Sequence, residues 1–199
     1  MSERLNKLRN LMTIHKLDAA IITGRPNTFY FTGFTGSTSN LLVSHTKAFL
    51  IVDFRYTLQA NEQVDKEVEV IEYKESFSHT LNELLGDYRL EIVGFEGNML
   101  TYSDYERMSE KLTHASELVN LAARIDKIRM IKDPQEIELI KKAVLLGDEV
   151  FRYIIDIIKP GLREIEVAAE MEYQMKKLGA QGPSFDTIAA SGVRSAMCH

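Results

Sequence analysis

The sequence predicts an α/β protein, a mixed sheet flanked by helices and followed by a more helical part, and three observations carry that prediction. Up to about Ile125, short β-branched or apolar runs alternate with longer segments of period 3.6. Two of those runs, Asn40 to Val43 and Ala48 to Asp53, are separated only by Ser44-His45-Thr46-Lys47, so they pair as a hairpin and the sheet must be mixed. After Ala122-Ala123-Arg124-Ile125 the texture changes to two long helical patterns, which places a boundary between a domain at 1–125 and a second at 126–199.

In chain order, Ser2 to His15 reads as a helix because Leu5, Leu8, Leu11 and Met12 recur at helical spacing. Strands follow at Ala19 to Thr23, Asn40 to Val43 and Ala48 to Asp53, then a helix at Tyr56 to Val64 and a strand at Val68 to Tyr73. Phe77 to Leu85 is helical, Ile92 to Glu96 a strand, Tyr102 to Leu112 helical and Glu117 to Leu121 a strand. Asp133-Pro134-Gln135-Glu136 then starts a helix decisively, with Asp as N-cap, Pro at the first helical position and Glu closing a capping box. Ile137, Ile140, Val144, Phe151, Ile154, Ile155 and Ile158 form its apolar stripe until Lys159-Pro160-Gly161 stops it. A second helix buries Ile165, Ala168, Met171, Met175 and Leu178, and Gly179 takes the left-handed position beyond its end. A short strand is expected around Phe185 to Ala190.

Composition narrows the function classes. The 199 residues are 45% hydrophobic and 27% charged, far from a disordered chain, and a net charge of -5 supplies no global field for phosphate backbones. Thirteen Lys/Arg stand against 17 Asp/Glu up to Ile125, so no basic domain hides behind an acidic one and nucleic acid is not an expected partner. The longest apolar runs fall far short of the roughly 20 residues a membrane span needs, and the charged N-terminus lacks the apolar core of a signal peptide. One cysteine, Cys198, permits no internal disulfide, which suits a reducing compartment and the cytoplasm.

No metalloprotease H-E-x-x-H, phosphate-binding loop or G-x-S-x-G elbow is present, and Gly33-Phe34-Thr35-Gly36 is a turn rather than a dinucleotide fingerprint. His15, His45, His79 and His114 fall at predicted helix ends or in loops with no carboxylate or second His at ligand spacing, so no chemical role is expected of them. The informative stretch is the last one, Gly182-Pro183-Ser184-Phe185-Asp186-Thr187-Ile188-Ala189-Ala190, followed by Ser191-Gly192-Val193-Arg194-Ser195-Ala196-Met197-Cys198-His199. Together with Phe29-Tyr30-Phe31-Thr32-Gly33-Phe34, Asp53-Phe54-Arg55-Tyr56-Thr57-Leu58-Gln59-Ala60 and Ile128-Arg129-Met130-Ile131-Lys132-Asp133-Pro134-Gln135-Glu136, it resembles the proline-specific metallopeptidases. That family holds Xaa-Pro dipeptidase, aminopeptidase P and creatine amidinohydrolase, and the four segments occur in its order.

The resemblance implies a creatinase-type N-terminal domain, then the first helices and strand of a pita-bread α+β domain, left incomplete. It implies a hydrolase acting on peptide substrates at bonds to proline and two divalent metal ions of the Mn, Co or Zn class in a full-length relative, while the incomplete cover of the stripe from Ile137 to Ile158 leads to the expectation of a homodimer. His199 matches the family's His beside the metal centre, which hydrogen-bonds substrate or the tetrahedral intermediate and is not a ligand; such a donor stabilises developing negative charge more than the ground state. The family's ligands, two Asp, one His and two Glu, lie downstream of that His. The chain is therefore expected to lack them and to be inactive alone, since Asp186 and His199 are too few to build such a site. Three positions depart from the pattern: Arg194 stands where Asn is common, Cys198 where Pro is common, and Arg163 at a helix start that Ser or Thr often caps. Two other expectations stand beside this one, a non-catalytic binding or dimerisation module on the same fold and creatine-type amidine hydrolysis.

Overall fold

Why the central strands read as unbroken apolar runs is clear from the computed structural model, which describes residues 2–197. Strands β1 (Ala19–Ile22), β2 (Asn40–Ser44), β3 (Ala48–Val52), β4 (Glu69–Glu72), β5 (Ile92–Phe95) and β6 (Glu117–Asn120) form one sheet in the order β4-β3-β2-β1-β5-β6. The middle strands have helices on both faces, so both sides of each strand are apolar. The edge strands β4 and β6 instead carry Glu69, Glu72, Glu117 and Asn120, which discourage pairing with another chain.

The sheet is mixed, as expected. β2 runs antiparallel to both β1 and β3, while β3–β4, β1–β5 and β5–β6 are parallel. The Ser44–Lys47 turn explains the antiparallel step: Ser44 N–H donates to the Lys47 carbonyl at 2.8 Å, and Ser44 Oγ accepts from Lys47 N–H at 3.0 Å.

On one face, helix α1 (Ser2–Ile14) lays Leu5, Leu8 and Met12, all fully buried, against Ala20, Ile22, Val43 and Leu50. Burying three such side chains at about 1.5–3 kcal/mol each is what docks the helix. On the other face, Leu81 and Leu85 of α4 (Phe77–Asp87) and Met108 of α5 (Tyr102–Lys111) cover Ile21, Leu42 and Ile51. Helix α3 (Thr57–Gln63) contributes Ala60 to the first face.

Two helices were not among those expected. Helix α2 (Arg25–Thr32) follows β1, and α6 (Ala122–Met130) follows β6. The chain divides into two compact units, Met1–Ile131 and Lys132–His199, so the division falls at the end of α6. Ile125, fully buried in the first core, ties α6 to the first unit.

The second unit pairs α7 (Pro134–Ile157) with α8 (Glu164–Lys177), burying Val150 and Ile154 on one and Ala168 and Gln174 on the other. The capping box forms: Asp133 accepts from Glu136 N–H at 2.9 Å and Glu136 accepts from Asp133 N–H at 3.0 Å. Gly179, at φ +97°, donates to the Lys176 carbonyl while Ala180 N–H reaches Met175, closing the helix end in the left-handed form expected. The stripe of α7 is far less covered than its spacing suggests. Ile137, Ile140, Val144, Phe151, Ile155 and Ile158 are all exposed, and only Ile154 of the predicted set is buried. No strand forms over 185–190, where the chain has no neighbouring strand to supply ladder hydrogen bonds.

Candidate functional site

In the second unit, the residues that resemble a site lie in the segment after α8. Cys198 and His199, the latter the predicted catalytic residue, lie outside the described residues, so the structure bears on them only through what precedes them. One side chain clamps the end of that segment. Glu164, the first residue of α8, accepts from Ser191 N–H at 2.7 Å and from Ser191 Oγ at 3.0 Å, and its other oxygen lies 3.5 Å from Arg194 Nε. The Ser191 backbone N–H, then its hydroxyl, with the Arg194 charge nearby, hold the Glu164 carboxyl below the usual carboxylate range. A short 3₁₀ turn, Gly192–Ala196, follows, closed by Ser195 Oγ donating to the Gly192 carbonyl at 2.7 Å.

Two of the three departures acquire a physical reading here. Arg194 supplies the ion pair to Glu164, a contact Asn could not make as a charge. Arg163 cannot accept a capping hydrogen bond, but Glu166 accepts from Arg163 N–H at 2.8 Å and from its guanidinium at 3.2 Å, so half of a capping box survives. A cavity of about 570 Å³ lies beside the clamp, walled by Phe151, Val167, Met171 and Ile188, with Lys159, Glu164 and Ser191 among its polar groups. It could take an apolar group next to a hydrogen-bonding edge.

In the first unit the remaining motif residues turn out to build structure. Thr32 Oγ1 donates to the Thr28 carbonyl at 2.7 Å and accepts from Phe34 N–H at 3.1 Å, and Gly33 at φ +78° ends α2, a conformation that favours glycine. Asp53, 7% exposed, accepts from Arg55 Nε at 2.9 Å and Nη2 at 2.7 Å in a two-pronged pair, and from Arg55 N–H at 2.9 Å. The guanidinium hydrogen bond holds the Asp53 carboxyl below its ordinary value and raises that of Arg55. Tyr56 packs edge-on against Phe34 at 5.9 Å between ring centroids, joining the two motifs.

One network escaped the sequence. Glu96, at the end of β5, is fully buried and accepts from Thr23 N–H at 2.6 Å, Gly24 N–H at 2.7 Å and the Asn27 amide. Asn27 in turn accepts from Arg129 of α6 at 2.7 Å. Arg129 stands in the fourth quoted segment, but its partner is 102 residues away, so no local spacing could have signalled the pairing.

The histidines sit largely as expected, with one correction. His45 bonds the Leu17 carbonyl at 2.9 Å, and His114 packs against Gly86. His79, however, has carboxylates at i−4 and i+4, Glu75 at 3.8 Å and Glu83 at 3.3 Å. All three are at least half exposed, which makes this an ordinary surface helix pairing. Among the described residues no group of three or more His, Cys, Asp or Glu could hold a metal ion. Asp186 belongs to no such group, so the described residues do not fit a two-metal centre.

The profile of the Creatinase/Prolidase N-terminal domain matches residues 4–131. The chain belongs to the creatinase/prolidase family. A second profile, that of the metallopeptidase family M24, matches residues 138–199. Among relatives of this family, the chain is 42% identical to the uncharacterized peptidase YqhT of Bacillus subtilis over 98% of this chain and 55% of that one. It is 36% identical to a Xaa-Pro dipeptidase of Pyrococcus furiosus, over 100% of this chain and 55% of the relative. The solved Xaa-Pro dipeptidase from Bacillus anthracis superposes with a TM-score of 0.93 at 33% identity, again over 100% of this chain and 55% of the other. The chain thus spans about half the length of the relatives it matches. No described helix is long and apolar enough to cross a membrane.

Proposed function

We propose that this chain is the N-terminal part of a proline-specific metallopeptidase, which in its whole form hydrolyses Xaa-Pro dipeptides or peptides with an N-terminal Xaa-Pro. The observation that carries the reading is the order of the two profiles along one chain, the N-terminal domain at 4–131 and the metallopeptidase family at 138–199. The first unit is then the creatinase-type N-terminal domain, and the second begins the pita-bread catalytic domain. Two divalent ions of the Mn, Co or Zn class belong to the whole form. The 199 residues alone are read as inactive, because the family's ligands are expected downstream of the position of His199. The reading also places the protein in the cytoplasm, as a homodimer acting on peptides.

His199 is the residue assigned to the chemistry, donating a hydrogen bond to the oxyanion of the tetrahedral intermediate. The Glu164 clamp on Ser191 and Arg194 supports that role, because a donor works only if the backbone before it is held in place. The test is His199→Ala in the protein encoded by the whole reading frame. The variant is expected to lose about 10²–10³ in kcat while binding metal as the wild type does. Unchanged turnover, or loss of metal instead, would remove the assignment. A second reading, a non-catalytic binding or dimerisation module, is favoured by the exposed stripe of α7.

A further inference from the structure

The first unit has a crevice that none of this explains. In open α/β sheets, ligands settle outside the carboxyl ends of the strands where the strand order reverses. Here β1 has β2 on one side and β5 on the other, and Thr23, just past the end of β1, opens onto a cavity of about 230 Å³ lined by the first turn of α4 and the first two turns of α5. Its floor is apolar, made by Phe77, Leu100 and Met108. Its polar groups come in two opposite kinds.

Asp104 and Arg107, 3.6 Å apart, give the wall one carboxylate and one guanidinium. Asp104 is kept ionised by the Thr101 hydroxyl, which donates to it at 2.7 Å. Among the described residues Arg107 makes no closer polar contact than that loose pair. Asn40 and Ser78 also line the cavity, and their side chains form no hydrogen bond among the described residues. The first turn of α4 carries no acidic residue to offset its dipole, and the N–H groups of Phe77 and Ser78 have no intrahelical acceptor. An apolar floor with a few converging polar groups is the build of a small-molecule site.

We propose that this crevice binds a free α-amino acid with an apolar side chain. Its ammonium sits on the Asp104 carboxylate, its carboxylate on the Arg107 guanidinium and Ser78, and its side chain on Phe77, Leu100 and Met108. A zwitterion is the ligand that answers both charges at once; a plain anion would meet Asp104, and a plain amine would meet Arg107. The volume is below the roughly 300–1,000 Å³ of sites for drug-sized molecules, which suits a single amino acid. The proposal does not depend on the peptidase reading.

The test is an NMR titration of the 199-residue chain with L-leucine, beside N-acetyl-L-leucine and L-leucinamide, which each lack one charge. Saturable shifts at the amides of Asn40, Ser78 and Arg107 are expected at about millimolar concentration, with each blocked analogue and the Arg107→Gln variant weaker by about tenfold or more. Arg107 is mostly exposed, so the variant keeps the fold, and an otherwise unchanged spectrum verifies this. No shift at those amides overturns the proposal. So does N-acetyl-L-leucine or L-leucinamide binding as tightly as leucine, or undiminished binding to Arg107→Gln.

Discussion

Asp53 and Glu96 are the two carboxylates buried in the first unit, and each is answered by a different chemistry. Glu96 takes backbone N–H groups and an amide, while Asp53 takes a guanidinium two residues away. Arg55 holds the folded-state pKa of Asp53 below its unfolded value of about 3.9. A depressed carboxylate contributes stability that is complete above the unfolded pKa and is lost as pH falls through the folded one. Asp53→Asn should therefore be less stable than the wild type at neutral pH, and the difference should shrink as pH falls below about 4. Urea midpoints across that range check it; parallel pH profiles would mean the pair contributes nothing. At this scale the sequence showed that Asp53, Arg55 and Tyr56 belong together but not why. Residues within four positions of one another reveal a motif, whereas the partners Phe34 and Ser37 of Tyr56 come from a separate loop.

Elements whose own residues determine them were legible, and those made by tertiary contact were not. The six strands and the helices at α1, α3, α4, α5, α7 and α8 all follow from periodicity and caps. Helix α2 does not, because Asn27, Thr28, Phe29, Tyr30, Phe31 and Thr32 are poor helix formers. It is helical because Glu96 anchors its first turn and Tyr30, Phe31 and Thr32 are buried. Helix α6 was hidden similarly: only Ile125 of its nine residues is fully buried, so its pattern is faint. The segment 185–190 shows the reverse error, since an apolar run signals a strand but cannot supply its neighbour. Helix ends, by contrast, are local and testable. Gly179→Ala forces a side chain into a left-handed position with nothing nearby to clash, and should cost about 1 kcal/mol. Thermal unfolding checks it, and an unchanged midpoint would show that the cap at α8 does not matter.

At the scale of the whole molecule, the outstanding feature is the uncovered stripe of α7. Ile140, Val144 and Phe151 are each at least half exposed. Burial of such side chains is worth roughly 1.5–3 kcal/mol each, enough together to drive association. The chain should self-associate at micromolar concentration, and Ile140→Glu with Phe151→Glu should return it to a monomer. Light scattering after size exclusion decides this, and a strictly monomeric wild type would show that the stripe is tolerated in water. The site was legible only as far as a family resemblance reaches: His199 came from its motif, whereas the Glu164 clamp joins residues 27 apart and had no local signature. The central claim is that these 199 residues are the first part of a proline-specific metallopeptidase. Its most direct test is metal-dependent proline release from an Xaa-Pro dipeptide, measured side by side for this chain and for the protein encoded by its whole reading frame. The account predicts release that needs added divalent metal in the longer protein and none above background in this chain. Metal-dependent cleavage by the 199 residues alone, or none by the metal-loaded longer protein, would contradict it.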